Sequence, residues 1–278
     1  MAASPYGGAV TAGPQSLREV AVTVSREAAD WLRTERPAGR VAVSATKSSP
    51  TDPVTSFDTA VQQRLSDRLR ELRPGDGFVG EEGLDEPGRT GVVWVLDPID
   101  GTVNFMYGLP AYAVSVAARV GATVVAGCVV EVASGEEFAA ARGHGATRRG
   151  LRDTEVASLR VPAAPPLDQA LIATGFSYDL DTRRRQAIAV GRLLSEVRDI
   201  RRFGAASLDL CAVAAGRVDA YVEQGLHPWD LAAGGLVAEE AGAVVVGADG
   251  EPPGRRLVLA TVPGLLQPLN ELVSRCGF

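Results

Sequence analysis

The sequence predicts an α+β fold built from layers of helices and sheets. Two long amphipathic helices come first, short β-rich segments broken by glycines follow them, and strands then alternate with helices to the C-terminus. Helices that alternate with strands pack on the sheet that those strands form. With 278 residues, of which 46% are hydrophobic, the chain can bury a substantial core.

The first half of the chain supplies the two helices and the β-rich segments. Apolar side chains recur at helical spacing over residues 15–36 and again over 56–75. Short buried strands are predicted at 77–80 and 91–96, and an antiparallel meander is predicted over 111–150.

The second half alternates strands and helices. In chain order the predicted elements are a strand at 170–176, a helix at 182–197, a strand at 198–203, a helix at 206–216, a strand at 218–223, a helix at 231–242, strands at 243–247 and 256–262, and a helix from Gly264. The proline-rich stretch 160–168 is the best candidate for a seam between lobes. We therefore expect a flexible tail at 1–14 and one domain at 15–278, with lobes of about 15–160 and 161–278.

Charge and composition argue against several classes of protein. A net charge of −6 argues against a general nucleic-acid binder, which is usually basic. No apolar stretch reaches the length of a membrane span, and the N-terminus lacks the basic start and apolar run of a signal peptide, so we expect a cytoplasmic protein. Cys128, Cys211 and Cys276 follow no metal-ligand spacing and are expected to be reduced, mostly structural thiols.

One basic residue differs from all the others. Of the 28 lysines and arginines, only Lys47 is a lysine. Because the composition otherwise avoids lysine, a specific role for an ammonium group is favoured at this position.

The stretch "WVLDPIDGTVNF", residues 94–105, joins an apolar run to two aspartates. The run is apolar on both faces, as in a central strand, and the proline and glycine that follow should end it. Asp97, Ile99 and Asp100 would then lie in a tight turn. Two adjacent carboxylates stay ionised only beside a positive charge, and an all-oxygen cluster suits Mg²⁺. The alternative is that the aspartates cap a turn and a helix.

Other carboxylates also stand at the ends of predicted elements. Glu81 and Glu82 follow a short strand in "FVGEEG", and Asp230 precedes a helix in "HPWDLAAGG". Taken singly, the glutamates could be solvated loop charges and Asp230 a helix N-cap. Ligands gather at strand and helix ends in sheet-based folds, so the concurrence favours one shared site.

Gly101 and Thr102 open a short predicted helix directly after the aspartate pair. Free amides at a helix start form an anion site suited to phosphate. An anion beside carboxylates is repelled unless metal ions lie between them, and metal bridging of this kind is the arrangement of metal-assisted phosphoryl hydrolysis.

These motifs resemble the signatures of a known family. "GEE" at 80–82, "WVLDPIDGTVNF" and "HPWDLAAGG", in this order, are similar to the three motifs of the inositol monophosphatase family, Mg²⁺-dependent and lithium-sensitive phosphatases. The resemblance covers nearly all of the chain after the tail. It implies a layered αβαβα sandwich, as in the sugar phosphatases, and commonly a homodimer.

The resemblance also implies ligands for two metals. Glu81, Asp97 and the Ile99 carbonyl would hold the first metal. Asp97, Asp100 and Asp230 would hold the second. A third, weaker metal would lie by Glu81, so that two to three Mg²⁺ ions are expected.

The resemblance further implies roles in catalysis and substrate binding. The Thr102 hydroxyl, with Asp58 of "VTSFD" behind it, would orient the attacking water, and Glu81 would act on the same water through its metal. The Gly101 and Thr102 amides would bind phosphate, and Asp100 would also contact substrate. Lys47 would lie on the family's mobile loop and help bring substrate in; a salt bridge is the alternative.

Local features favour inositol monophosphate as the substrate. After "DPIDGT" this chain has Val103, Asn104 and Phe105, similar to inositol-type members, where other members commonly have lysine. Glu223 would accept hydrogen bonds from ring hydroxyls, and the Ala206 backbone would contact the same ring. A surface charge at a strand end is the alternative for Glu223. Fructose 1,6-bisphosphate, histidinol phosphate and adenosine 3′,5′-bisphosphate remain alternative substrates.

Arginine groups leave two further possibilities open. The run Arg183–Arg185 could serve a larger or doubly phosphorylated substrate, although such a run is usually the solvated face of a helix. Some bacterial members of the family are linked to transcription and RNA maturation. Five arginines could form a partner surface for such a role: Arg148, Arg149, Arg152, Arg201 and Arg202.

Overall fold

The computed structural model describes residues 12–47 and 52–278. Most of the tail predicted at 1–14 lies outside the described residues, as does part of the loop that follows Lys47. The first helix begins at Pro14, a residue that favours the first position of a helix because it has no N–H to satisfy.

The first half of the chain forms helices α1 to α3 and strands β1 to β10. Their bounds are α1 Pro14–Glu35, β1 Ala45–Thr46, β2 Pro53–Val54, α2 Ser56–Leu72, β3 Gly77–Gly80, β4 Asp85–Glu86, β5 Val92–Asp100, α3 Thr102–Tyr107, β6 Ala113–Val120, β7 Thr123–Glu131, β8 Glu137–Ala141, β9 Ala146–Arg149 and β10 Ala157–Ser158.

The second half alternates as predicted, with short 3₁₀ turns between elements. The bounds are β11 Leu171–Thr174, α4 Leu180–Leu194, β12 Asp199–Arg201, α5 Ala206–Ala214, β13 Ala220–Glu223, α6 Pro228–Glu240, β14 Val244–Val246, β15 Val258–Thr261 and α7 Leu266–Cys276.

The strands form two large sheets and one small ribbon. The first sheet has the order β10-β9-β8-β7-β6-β5-β3-β4, and the second has the order β12-β11-β13-β15-β14. The meander from β5 to β10 is antiparallel as predicted, whereas β3 pairs with β5 in parallel. In the second sheet β11 is parallel to its two neighbours, and β15 is antiparallel to its own.

Four apolar clusters connect five layers. Helices α1 and α2 pack on one face of the first sheet, and α5 and α6 pack on its other face. The same α5 and α6 cover one face of the second sheet, and α4 and α7 cover its outer face. The order is therefore helix, sheet, helix, sheet, helix, and the predicted layered α+β fold is confirmed.

Helix α1 shows why these layers form. Its apolar residues recur every three to four positions, and that stripe is buried, including Leu17, Val24 and Leu32. A stripe of this spacing faces one side of a helix and packs on a sheet. Within the described part of the chain, no helix is both long and apolar enough to cross a membrane.

Small residues let the helices of the middle layer pack closely on each other and on the first sheet. A methyl group added at Gly127 of β7 would lie 2.9 Å from the Cα atom of Ala233 in α6. A methyl group on Gly234 of α6 would lie 2.8 Å from the carbonyl oxygen of Ser207 in α5. Neither glycine can gain a side chain unless these elements move apart.

The three cysteines lie inside this packing. Cys128, Cys211 and Cys276 are buried and unbridged. Their burial agrees with the structural role expected for these thiols.

Candidate functional site

The ends of several elements surround a cavity of about 470 Å³. Strands β5 and β13 end at it, and helices α5 and α6 begin at it. The predicted site residues that line the cavity are Lys47, Glu81, Asp97, Ile99, Asp100, Gly101, Thr102, Ala206, Glu223 and Asp230. The remaining one, Asp58, is fully buried and is hydrogen-bonded to Thr102. The structure therefore brings the whole predicted set together.

The end of β5 differs from the predicted tight turn. The strand continues to Asp100, which still pairs with Ala113 of β6, and the register shifts between Asp97 and Asp100. Pro98 has no N–H to give to the ladder, so the pairing breaks there and resumes beyond it. The predicted strand end was therefore wrong, and a register shift rather than a turn lies between the two aspartates.

Four carboxylates repel one another at this cavity. Burial raises the pKa of Asp97 well above its ordinary value, and the charges of Glu81, Asp100 and Asp230 raise it further. Asp97 is 1% exposed, so water screens the repulsion poorly. Its Oδ1 accepts a hydrogen bond from the Ile99 amide at 3.1 Å. A cation among these side chains would relieve both the burial cost and the repulsion.

Asp100 and Asp230 are held by backbone amides at helix starts. Asp100 accepts hydrogen bonds from the amides of Ala206 at 3.2 Å and Ser207 at 2.7 Å, where α5 begins. Asp230 accepts one from the His227 amide at 2.7 Å, where α6 begins. Burial raises the pKa of both carboxyls, although the Ser207 donors oppose the rise at Asp100. The N-cap of α6 is His227 rather than Asp230, which the alternative had placed there; Asp230 is the third residue of the helix, and its bond to the N-cap amide fixes its carboxylate at the cavity.

Lys47 lies against two glutamates. Its Nζ is 2.7 Å from a carboxylate oxygen of Glu81 and 2.5 Å from one of Glu82. Burial raises the pKa of Glu81, and the Lys47 ammonium opposes that rise. The salt bridge considered for Lys47 is thus the arrangement present, and its contact with substrate stays a prediction. Gln62, which no motif indicated, fixes Glu82 by accepting from its amide at 3.0 Å and donating to its carbonyl at 3.2 Å.

The hydroxyl of Thr102 connects the cavity to Asp58. Thr102 Oγ1 lies 2.9 Å from the Ile99 carbonyl oxygen and 3.2 Å from Asp58 Oδ1, and its single proton serves one acceptor at a time. Asp58 Oδ2 accepts from the amide and hydroxyl of Thr55 at 2.7 and 2.6 Å, which caps α2. Burial raises the pKa of Asp58 to about 6 against these donors. A carboxyl with this pKa exchanges protons near neutral pH.

Gly101 makes the turn from β5 into α3. Its φ of 87° is in the left-handed region, and an added methyl group would lie 2.9 Å from the Ala111 carbonyl oxygen. Only glycine adopts this conformation without strain. Backbone at this position can therefore approach a ligand in the cavity closely.

Asn104 joins two segments beside the site that are distant in sequence. Its side-chain amide donates to the carbonyls of Ala111 and Phe203, each at 2.7 Å. Phe203 lies in the segment that leads into α5. The asparagine that favoured an inositol-type member thus acts on the shape of the cavity rather than by lining it.

Glu223 occupies the part of the cavity formed by the second lobe. Tyr221 donates its hydroxyl proton to Glu223 Oε2 at 2.6 Å. Burial raises the pKa of Glu223 to about 7, and the Tyr221 bond and the Arg202 charge oppose the rise. A methyl group on Gly175, after β11, would lie 1.8 Å from Glu223 Oε2, so the carboxylate needs a glycine there. Ala206 lines the same cavity, and its amide is already bonded to Asp100.

The arginines singled out in the sequence lie in several places. The run Arg183–Arg185 is on α4 and is not part of the described cavity lining. Arg148 is paired with Glu136, and Arg201 is paired with an aspartate of its own strand. Arg202 lines the cavity. A partner surface formed by the five arginines stays a prediction.

The donor chemistry of the cavity fits a hard divalent cation. Every side chain in the cluster offers oxygen, and the buried carboxylates lack enough positive charge to offset their own. Within residues 12–47 and 52–278, no three acidic, histidine or cysteine side chains stand in an arrangement that could hold a metal ion, so the metal-ligand assignment stays a prediction. Some residues of the site had no sequence signal of their own. Gly175 lay inside a predicted strand, where a glycine is only a weak sign of a close approach, and Ser207 and Asp209 lay within an apolar helical pattern.

Comparisons with known proteins agree with this geometry. The inositol monophosphatase family matches the chain over residues 14–275. An inositol-1-monophosphatase of Mycobacterium leprae is 47% identical over 94% of each protein. The Nus factor SuhB of Escherichia coli is 41% identical over 73% of this chain and 75% of that protein. Among solved structures, Mycobacterium tuberculosis SuhB has a TM-score of 0.81 at 44% identity, covering 95% of this chain and 98% of that one.

The family match extends over nearly the whole chain and includes the three motifs and the elements that place them at the cavity. The chain belongs to the inositol monophosphatase family.

Proposed function

We propose that this phosphatase hydrolyses myo-inositol monophosphate to inositol and phosphate in a reaction that depends on Mg²⁺. The observation that carries the proposal is the convergence of Glu81, Asp97, Asp100 and Asp230 on one cavity. The names of relatives such as the M. leprae inositol-1-monophosphatase favour this substrate. The cavity can also hold other small phosphate esters, so relaxed specificity is compatible with it.

Two sets of oxygens would hold the metals. Glu81, Asp97 and the Ile99 carbonyl would form one set, and Asp97, Asp100 and Asp230 the other. The Ile99 carbonyl accepts from Thr102 and keeps a second lone pair for a cation. The chemistry that Mg²⁺ supplies in such a site is a lower pKa for water and neutralisation of phosphoryl charge.

Residues of the chain would orient the attacking water and the phosphate. While the Thr102 hydroxyl donates a hydrogen bond to Asp58 or to the Ile99 carbonyl, the lone pairs of its Oγ1 can accept a hydrogen bond from water. Asp58 is fully buried, so a proton that the water gives up would reach it through Thr102: Thr102 Oγ1 would take the proton of the water and pass its own to Asp58, whose pKa is about 6. The backbone at Gly101 and Thr102 would receive phosphate oxygens. No covalent intermediate with the protein is required.

The ring of the substrate would lie in the second-lobe part of the cavity. Glu223 is fixed there by Tyr221, and its carboxyl can bond a ring hydroxyl. Ala206 lies at the start of α5 on the same cavity wall. A hydroxyl-rich ring fits this polar environment better than an apolar alcohol does.

The test is phosphate release with Mg²⁺ and without it. The substrates are myo-inositol 1-phosphate, fructose 1,6-bisphosphate, histidinol phosphate and adenosine 3′,5′-bisphosphate, compared by kcat/KM. We expect the first to have the highest kcat/KM, activity to vanish with chelator, and Li⁺ to inhibit at millimolar levels. Asp181→Asn, on the exposed face of α4, is the matched control for aspartate substitutions. Absence of turnover on every ester at saturating Mg²⁺ would exclude the proposal.

A second role is suggested by the E. coli relative named Nus factor SuhB. Under this hypothesis the chain would bind RNA or a transcription complex. The net charge of −6 and the pairing of Arg148 and Arg201 with acidic residues weigh against direct RNA binding. Binding to a labelled RNA leader at physiological salt tests it, and a Kd below about 1 µM would favour this role.

Two expectations complete the proposal. A homodimer is expected from the family and is measured by sedimentation equilibrium. A cytoplasmic location is expected from the sequence and is measured by cell fractionation.

A further inference from the structure

Asp209 is a buried carboxyl in the cavity wall that the proposed reaction does not use. It lies on α5 one helical turn after Ala206, so both side chains face the same side of the helix. The residue is 1% exposed and lines the cavity. Among the described residues, Asp209 Oδ1 has no hydrogen-bond partner. A buried polar atom without a partner is costly, so a ligand or water has to supply one.

The neighbours of Asp209 do not satisfy it. Of the nearby charges, that of Glu223 acts most strongly on the Asp209 pKa and that of Asp100 comes next; both raise it, and the Arg202 charge lowers it. The Tyr221 hydroxyl is already donated to Glu223. Burial first, and then Glu223, raise the pKa of Asp209 well above its ordinary value. Asp209 is therefore protonated more easily than an ordinary aspartate, and a protonated carboxyl can both donate and accept a hydrogen bond.

The position of Asp209 defines what can reach it. Asp97 and Asp100, where phosphate would be held, come from β5 of the first sheet, whereas Asp209 and Glu223 come from α5 and β13. A molecule that touches both groups has to extend from the phosphate into the second lobe and carry hydroxyl groups there. A polyhydroxylated ring does so, and an aryl ester without hydroxyls does not.

We propose that Asp209 is a specificity-determining residue that hydrogen-bonds a hydroxyl group of a polyhydroxylated substrate ring beside Glu223. This inference rests on the proposed function. It adds a second carboxyl to the ring site and predicts that the enzyme distinguishes polyol phosphates from other esters through Asp209.

Steady-state kinetics on two esters test the inference. The esters are myo-inositol 1-phosphate and p-nitrophenyl phosphate, which has no ring hydroxyl. We expect Asp209→Ala to raise KM for inositol 1-phosphate about 10- to 100-fold, because a buried partner of the hydroxyl is lost. KM and kcat for p-nitrophenyl phosphate should change less than about threefold.

Two further variants separate binding from folding. Asp209→Asn keeps one donor and one acceptor in the same shape, so we expect it to restore KM for inositol 1-phosphate to within about threefold of wild type. Asp209→Leu fills the space without hydrogen bonds and replaces Asp209→Ala if that variant does not fold. The surface substitution Asp181→Ala on α4 is the matched control.

The outcomes are distinguishable from failure of the proposed function. If the Ala or Leu variant changes both esters equally, or changes neither, or if Asn does not restore binding, the inference is overturned while the phosphatase proposal stands. If wild type hydrolyses neither ester, the proposed function fails. Titration calorimetry of inositol 1-phosphate with Mg²⁺ then tests the inference alone, and equal affinity in wild type and Asp209→Ala overturns it.

Discussion

The buried carboxyl of Glu223 should make the stability of this protein depend on pH. Burial raises its pKa from 4.5 to about 7. In the unfolded chain Glu223 ionises near its ordinary pKa, so between these two values the unfolded state has released a proton that the folded state keeps. The free energy of unfolding therefore falls as pH rises, by about 1.4 kcal/mol per pH unit. The contribution is fully present below about pH 4.5 and is lost above about pH 7.

The expected magnitude follows from this interval. Across the whole range the loss approaches about 3 kcal/mol. Part of the Glu223 surface remains accessible to solvent. Water in the cavity therefore screens its charge, and we expect a loss of about 2 kcal/mol in the free energy of unfolding. The other buried carboxyls of the cavity also titrate. Those that do not interact with Glu223 cancel in the difference between wild type and variant, whereas Asp209, whose pKa Glu223 raises, adds to the gain in the same direction.

The perturbation is Glu223→Gln, which removes the charge and keeps an oxygen for the Tyr221 hydroxyl. Urea unfolding is followed in chelator at equal protein concentration between about pH 5 and about pH 8. We expect the variant to gain about 2 kcal/mol relative to wild type over this range. Glu196→Gln, on an exposed loop after α4, should follow wild type. A stability difference between Glu223→Gln and wild type that stays constant, or that decreases with pH, would refute the reasoning.

Three further predictions concern other residues. Asp97→Asn should lower phosphate release below about a hundredth of wild type, since a ligand shared by both metals is lost; retention of most activity contradicts the ligand assignment. The same variant should raise the free energy of unfolding in urea without metal, since one of four repelling carboxylates is neutralised. Gly175→Ala should raise KM for inositol 1-phosphate about tenfold, because the methyl group displaces the Glu223 carboxylate; an unchanged KM contradicts this. Asp76→Ala should cost about 2–4 kcal/mol of unfolding free energy, because the fully buried Trp94 loses the acceptor of its indole N–H at 2.9 Å; a loss under about 0.5 kcal/mol in urea contradicts it.

Local patterns were sufficient to predict most elements and the metal-binding carboxylates. The buried apolar stripe of α1 and the apolar run of β5 can each be read from a single segment of the sequence. Asp97, Asp100 and Asp230 each stand at the end of a predicted element, where a carboxylate is conspicuous in the sequence. Their convergence could be inferred because element ends meet at the edges of sheets.

Features that depend on distant parts of the chain were not predictable in this way. The parallel pairing of β3 with β5 follows from the path of the chain, and hydrophobic pattern alone does not encode strand direction. Asp209 lies in an apolar helix, and its position opposite Glu223 exists only after α5 and β13 have packed. The end of β5 was misplaced because a register shift at Pro98 resembles a stop signal in the sequence.

The small residues between the two sheets fix the distance between carboxylates of the site. Asp100 belongs to the first sheet and Asp230 to a helix of the middle layer, so the gap between them is set by how closely that helix approaches the sheet. Gly127 allows this approach, and Gly234 allows α6 to approach α5, whose first amides hold Asp100; neither contact has room for one methyl group. A displacement of about 1 Å can reduce turnover about a hundredfold. Substitutions at these two positions should therefore change kcat although neither residue touches the substrate. Packing inside the fold thus affects the rate of turnover.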